Sequence, residues 1–212
     1  MNNHNQSPSQ ELRLNERDNF MRIIIIILIA AIATSCGLPN KNGKDSAKEK
    51  EPIVFVNQQA FINNLASFCG KSFCGKEAYI EEGRESWAHK KFVMHVTLCE
   101  DDRVHIPFHL DEDKSRTWRF IMEDEGLRFQ HDHRHPDGTP EDQNLYGGFA
   151  DSTGNDYWQN FPSDEHTRKI LDDGHFRQWR IILTEDLSLL SYQLYYDEKL
   201  IFQADFDLTQ PI

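Results

Sequence analysis

The stretch FVMHVTLCEDDRVHIPFHL, residues 92–110, indicates a β fold, because apolar side chains recur at every second position in both of its halves. These apolar positions are Phe92, Met94, Val96 and Leu98 in the first half, and Val104, Ile106, Phe108 and Leu110 in the second. The polar segment Glu100-Asp101-Asp102 separates the two halves. Since successive side chains of a strand point to opposite faces, the stretch predicts a β-hairpin with one apolar face. Pro107 has no N–H to donate, and it predicts a free side or a bulge in the second strand.

The same alternation continues toward the C-terminus. Further strands are predicted at residues 118–122, 127–133, 179–183, 190–196 and 200–208. Helical spacing of Phe61, Ile62 and Leu65 predicts a short helix near the start, and Ser163 is expected to cap a second one. The glycine-rich stretch 136–162 is predicted to be loop. We therefore expect an all-β fold of at least seven strands, either a small antiparallel β-barrel of lipocalin type or a two-sheet sandwich.

Residues 21–37 have the composition of a secretory signal. Residues 21–37 read MRIIIIILIAAIATSCG, in which one arginine precedes an apolar run too short to span a bilayer. The ending ATSCG resembles the lipobox of bacterial lipoproteins, which implies that Cys36 is lipidated and becomes the mature N-terminus. An uncleaved anchor or a buried helix is the alternative. Acidic residues within positions 1–20 suit a signal sequence badly, so we expect translation to begin at Met21.

The predicted signal divides the chain into three segments. Residues 1–35 are the signal segment, residues 36–54 a lipidated tether rich in Lys, Glu and Asn, and residues 55–212 a single β domain. The lipid would attach the protein to a membrane of the bacterial cell envelope, facing outside the cytoplasm. A formal net charge of −12 argues against nucleic acid as a partner, because that affinity comes mainly from Lys and Arg.

The segment HDHRH, residues 131–135, is the strongest candidate for chemistry. Side chains two apart on a strand share a face, so His131, His133 and His135 are candidate ligands for zinc or another transition metal. The outer two histidines would be about 13 Å apart at Cα, so a third ligand must come from elsewhere in the chain. The alternative is a polar end of a barrel, with the histidines hydrogen-bonded to carboxylates or backbone.

A second group of histidines, His95, His105 and His109, lies opposite the apolar faces of the first hairpin. Alternation places these side chains on the outside of the sheet. We interpret them as a patch that is solvated or covered by the N-terminal helix. A metal site is the alternative.

Three cysteines remain if Cys36 carries lipid, namely Cys69, Cys74 and Cys99. An oxidising compartment permits one disulfide among them, and their spacing does not select the pair. The segments GKSFCGK, HIPFHLDEDKSRTW, FQHDHRHPDGT, YGG and FDLTQPI resemble an uncharacterised family of secreted bacterial proteins, over most of residues 65–212. That resemblance implies a Cys69–Cys99 pair with Cys74 as an extra residue, and it carries no assigned activity.

Three functions are compatible with these patterns. The first is a lipid-anchored barrel that binds a small molecule in its interior. The second is a metal-dependent enzyme centred on HDHRH. The third is an envelope protein that uses acidic loops to contact partners. No GxSxG, HExxH or GxxxxGK motif is present, so no catalytic residue is assigned from the sequence.

Overall fold

A computed structural model describes residues 53–84 and 87–212. The predicted signal segment, the start at Met21, lipidation of Cys36 and most of the predicted tether lie outside the described residues. None of the helices within the described ranges is long and apolar enough to cross a membrane.

The described residues form two helices and eleven strands. The helices are α1 (Ile53–Ala66) and α2 (Glu165–Ile170). The strands are β1 (Ser72–Ile80), β2 (Phe92–His95), β3 (Leu98–Glu100), β4 (Arg103–Leu110), β5 (Asp113–Glu123), β6 (Gly126–His133), β7 (Tyr146–Phe149), β8 (Trp158–Pro162), β9 (Arg177–Leu183), β10 (Leu189–Tyr196) and β11 (Lys199–Pro211).

The strands pair antiparallel in the order β7-β6-β5-β4-β2-β1-β11-β10-β9-β8, with β3 paired to β4 beside this path. The two ends of the path, β7 and β8, come together. The N–H of Asp164 donates to the carbonyl of Gly147 at 3.0 Å, and the N–H of Asp151 donates to the carbonyl of Asn160 at 3.0 Å. The sheet therefore closes almost completely on itself, which confirms the predicted small antiparallel β-barrel.

Helix α1 closes one end of the barrel. It buries Phe61, Ile62 and Leu65, and the Phe61 ring meets the Phe120 ring edge-on at 6.2 Å. Gln58 accepts a hydrogen bond from the backbone N–H of Leu127, at the start of β6, with a length of 2.7 Å. At the opposite end of the barrel, where β6 finishes, the short helix α2 lies beside β7. The Thr167 hydroxyl donates to the carbonyl of Gly147 at 2.8 Å, and Leu171, just after the helix, lines a cleft at this end.

The inside of the barrel is filled with aromatic rings. Phe108 stacks on Trp118 with ring centroids 4.6 Å apart, and Trp118 stacks on Tyr192 at 4.8 Å and 3°. The fully buried side chains of largest volume include Trp118, Trp179, Phe73, Phe92, Phe120, Phe129, Phe161 and Phe206. Burial of such rings is the main stabilising contribution to a fold of this kind.

Several elements differ from the sequence prediction. Strands β1, β7 and β8 were not predicted, and the predicted strand at residues 92–98 is divided into β2 and β3. The division lies opposite Pro107, where an irregularity was predicted, since β2 ends at His95. The cap of α2 was wrong by one residue, because Asp164 and not Ser163 accepts from the N–H of Thr167, at 2.7 Å.

A disulfide joins Cys69 to Cys99, with an S–S length of 2.11 Å and Cα atoms 6.1 Å apart. This confirms the pair that the family resemblance implied. The bond links the chain just after α1 to β3, and Cys74 is left free and exposed on β1.

Candidate binding site at the open end of the barrel

The HDHRH segment is divided by the end of β6. His131 and His133 are its inward-facing residues, with exposed fractions of 2% and 8%. His135 lies beyond the strand in the following loop and is exposed. The structure therefore brings His131 and His133 to one face, as predicted, and leaves His135 outside the group.

Both ring nitrogens of His131 are hydrogen-bonded. Nδ1 lies 3.2 Å from the carbonyl oxygen of Tyr146, and Nε2 lies 3.1 Å from the hydroxyl of Tyr192. Burial lowers the pKa of His131 to about 3, and the neighbouring His133 and Arg116 add to the effect. The neutral ring therefore donates from Nδ1 to the carbonyl and accepts at Nε2 from the Tyr192 hydroxyl.

His133 lies between a phenol and a carboxylate. Its Nε2 is 2.9 Å from the hydroxyl of Tyr146, and its Nδ1 is 3.6 Å from a carboxylate oxygen of Glu141. Burial lowers the pKa of His133, Arg116 adds to this, and Glu141 opposes it. Burial also raises the pKa of the Tyr146 phenol, so the phenol keeps its proton and donates it to Nε2. The Nδ1–H of His133 then faces Glu141.

The predicted metal site is not supported by this arrangement. Within residues 53–84 and 87–212, no three His, Cys, Asp or Glu side chains are grouped so that they could hold a metal ion. Both nitrogens of His131 are already engaged, and Glu141 is the carboxylate recorded in contact with His133 among the described residues. The contacts match the alternative interpretation, a hydrogen-bonded polar end of the barrel, and zinc or another transition metal stays a prediction.

Two neighbouring clefts open at this end of the barrel, and together they are called the mouth. The larger, of about 260 Å³, is walled by Ile80, Arg84, Trp87, Leu194, Tyr196 and Phe202, among others. The smaller, of about 200 Å³, shares Trp87, Leu194 and Tyr196 with it and adds His133, Tyr146 and Arg177. Because three lining residues are common to both clefts, a molecule bound in the larger cleft would lie beside the polar side chains of the smaller one, such as His133 and Tyr146.

Two guanidinium groups flank an aromatic ring at the mouth. The Tyr196 ring lies 4.5 Å from the guanidinium carbon of Arg84 and 4.7 Å from that of Arg177. Arg177 is held by Asp173 and by the carbonyl of Leu171 at 2.7 Å, and Nε of Arg84 lies 3.1 Å from a carboxylate oxygen of Glu81. The mouth of this acidic protein therefore offers two positioned cations beside apolar walls.

Several mouth residues were missed by the sequence prediction. The predicted strand at residues 190–196 already placed Leu194 and Tyr196 on the face of Tyr192, but not in a binding site. Arg177 precedes Trp179 by two, so alternation could have added it to the inner face. Tyr146 and Trp87 carry no such signal, because they lie in a four-residue strand and in a segment between strands.

Comparisons of the chain with protein-family models, with curated proteins and with solved structures found no match. The resemblance to a family of secreted proteins therefore stays a prediction from the quoted segments.

Proposed function

We propose that this protein is a lipid-anchored protein of the bacterial cell envelope that binds a small molecule at the mouth of its barrel. The observation that carries the proposal is the mouth itself, where apolar walls and two guanidinium groups surround open space at one end of a rigid, aromatic-filled barrel. Concave apolar sites with a few placed polar groups are typical of small-molecule binding.

The walls indicate the chemistry of the ligand. Trp87, Tyr196 and Phe202 offer ring surfaces, which favours a planar or aliphatic body. Arg84 and Arg177 favour an acidic group such as a carboxylate or sulfonate. Because drug-sized ligands occupy roughly 300–1,000 Å³, clefts of about 260 and 200 Å³ suit a compact molecule and not a long lipid chain.

The middle of the barrel, where the ligand was first expected, is packed by the stacked rings of Phe108, Trp118 and Tyr192. The proposal therefore places the ligand above this packing and not within it. The envelope location rests on the signal-like residues 21–37 and the lipobox resemblance at Cys36. The Cys69–Cys99 disulfide agrees with it, since such bonds persist in oxidising compartments.

The binding site is tested by isothermal titration of the purified full chain with 2-naphthalenesulfonate, a planar anion. We expect saturable binding by the unchanged protein. Leu194→Trp places a large ring in the wall that both clefts share, and we expect the affinity to fall at least about tenfold, which corresponds to about 1.4 kcal/mol. Val56→Trp is the matched control, because Val56 is 62% exposed on α1, at the other end of the barrel.

A second variant tests the role of charge. Arg84→Gln should weaken binding of 2-naphthalenesulfonate and leave binding of the neutral 2-naphthalenemethanol unchanged. Equal affinity of Leu194→Trp and the unchanged protein for both probes would contradict a site at the mouth. An equal loss for both probes in Arg84→Gln would contradict the recognition of an acidic group.

A further inference from the structure

A serine and two histidines form a hydrogen-bonded chain on the outer face of the barrel, away from the mouth. Ser72 begins β1 and is paired across the ladder with His95, the last residue of β2. His109 lies on the neighbouring strand β4. All three side chains alternate with buried neighbours, so they face outward, and each is half-buried.

The contacts within this group run in one line. The Ser72 hydroxyl lies 2.7 Å from Nδ1 of His95, and Nε2 of His95 lies 3.0 Å from Nδ1 of His109. The two imidazole rings are 4.4 Å apart at their centroids. A hydroxyl in reach of a base, with the base held by a third group, is the arrangement that activates a serine for nucleophilic attack.

The protonation states suit this use. Burial lowers the pKa of both histidines, and Lys114 on β5 lowers both further. At His109 the neighbouring His95 also lowers the pKa, and Asp113 opposes these effects. Neutral His95 accepts the Ser72 proton at Nδ1 and donates Nε2–H to Nδ1 of His109.

An open groove of about 450 Å³ runs beside the group. Besides Ser72, His95 and His109, its walls include Lys71, Val96 and Pro107. The walls are mostly apolar, and Lys71 is exposed next to Ser72 in the chain. A short acyl group could lie against Pro107. The Lys71 ammonium lies 5.7 Å from the centroid of the Phe68 ring, and it would have to leave that contact to reach a developing oxyanion.

We propose that Ser72, His95 and His109 form an esterase site that cleaves carboxylic esters with a short acyl group. Ser72 Oγ attacks the ester carbonyl carbon while its proton passes to Nδ1 of His95. Collapse of the tetrahedral intermediate breaks the bond to the alcohol, which takes that proton as it leaves. Water, deprotonated by His95, then attacks the acyl group, the acid is released, and the proton returns to Ser72.

Within this site Ser72 is the nucleophile and His95 the base that touches the reacting atoms. His109 is a positioning residue, because it acts by holding the His95 ring through Nε2–H. Nothing in this proposal depends on ligand binding at the mouth, since none of the three residues lines either cleft there.

The test is labelling of the purified full chain with a fluorophosphonate, which phosphonylates activated serines and releases fluoride. Peptide mapping should find the label on Ser72 at about one per chain, and Ser72→Ala should abolish it. Ser67→Ala is the matched control, because Ser67 is exposed and bonded to the carbonyl of Asn64 rather than to a histidine.

Two further variants separate activation from mere packing. His95→Gln should lower the labelling rate by about 10²-fold or more, the usual contribution of a general base. His109→Leu should lower it less, and His109→Asp, which restores an acceptor for Nε2–H, should recover most of the loss. Near-ultraviolet circular dichroism checks that each variant is folded.

The same proteins are assayed for hydrolysis of p-nitrophenyl acetate. We expect the rate to follow the labelling results across the variants and to fall as the pH is lowered through the depressed pKa of His95. A folded, unchanged protein in which Ser72 is not labelled would overturn the proposal. Labelling of Ser72 at the same rate in folded His95→Gln would overturn it as well.

Discussion

At the scale of single residues, His131 shows how a titratable group can serve as a structural one. Its ring stacks on Tyr146 with centroids 4.4 Å apart, and both its nitrogens have partners. A neutral imidazole can satisfy one donor site and one acceptor site at once, which a phenyl ring or an ammonium cannot. Protonation would place a second donor against the Tyr192 hydroxyl in a dry environment, so the ring resists it.

This resistance predicts how stability depends on pH. The pKa of His131 is about 3 in the folded protein and 6.5 when unperturbed, so between these values the unfolded chain binds more protons. This effect on stability is absent above pH 6.5. As the pH falls from 6.5 to 3, the free energy of unfolding should decrease, by on the order of 4 kcal/mol from this residue.

The measurement is urea unfolding at several pH values in this window. His131→Gln cannot take up a proton, so its unfolding free energy should fall less steeply with acid than that of the unchanged protein. His135→Gln, at the exposed end of the same segment, serves as the control and should keep the original slope. A slope unaltered by His131→Gln would show that other groups govern acid unfolding.

The orientation of His131 and His133 was predictable because Leu127 and Phe129 begin an alternation that the histidines continue. Their partners were not predictable. Tyr146 and Glu141 belong to the stretch that was predicted as loop, and their contacts with β6 depend on tertiary structure. A spacing of two between histidines is shared by metal sites and by hydrogen-bonded strand faces, so the pattern alone could not distinguish them.

At the scale of elements, the closure of the barrel depends on the glycines of β7. A Cβ built on Gly148 would lie 1.9 Å from the carbonyl oxygen of Pro162 on β8, and one built on Gly147 would lie 1.9 Å from that of Phe129 on β6. Strand β7 therefore lies tightly between two backbones. This close approach also explains why β7 was mistaken for loop, since a strand with glycine at its centre shows no alternation.

Gly148→Ala should separate β7 from β8 and lower the free energy of unfolding by several kcal/mol, as overpacking against a fixed backbone does. Gly138→Ala is the control. It has open space around its Cβ position but a φ of +85°, so it should lose only about 1 kcal/mol. Chemical denaturation measures both. Equal losses of unfolding free energy in the two variants would mean that the steric contact at Gly148 is relieved without separating β7 from β8.

Two of the strands that were predicted correctly show a burial pattern that the missed strand β1 lacks. Strands β4 and β9 alternate buried and half-buried residues along most of their length, and this pattern is visible in the sequence. Strand β1 buries only Phe73 of its nine residues, so its sequence carries almost no periodic signal. Its place is instead fixed by backbone pairing with β2 and β11.

At the scale of the whole molecule, the two ends of the barrel differ in structure. One end is covered by α1 and tied by the Cys69–Cys99 disulfide, and the other carries the mouth. Since the middle is packed with rings, the covered end should contribute to stability while the open end contributes to binding. The disulfide allows these two contributions to be measured separately.

The residues that the disulfide joins are separated by 30 positions in the sequence. Closing a loop of this length restricts the unfolded chain, and its removal should cost about 3–4 kcal/mol. We expect this loss in the unfolding free energy of the Cys69→Ala, Cys99→Ala double variant, measured by urea denaturation. Cys74→Ala, which removes the exposed free thiol, should change it by less than about 0.5 kcal/mol.

Binding should respond differently from stability in the same double variant. Because the disulfide lies at the end closed by α1, the affinity of the folded double variant for 2-naphthalenesulfonate should equal that of the unchanged protein when titrated well below its unfolding midpoint. A loss of affinity in proportion to the loss of stability would instead mean that the closed end and the mouth are mechanically coupled through the aromatic core. The stacked rings of Phe108, Trp118 and Tyr192 would then be the path to examine, because Tyr192 also holds His131 beneath the mouth.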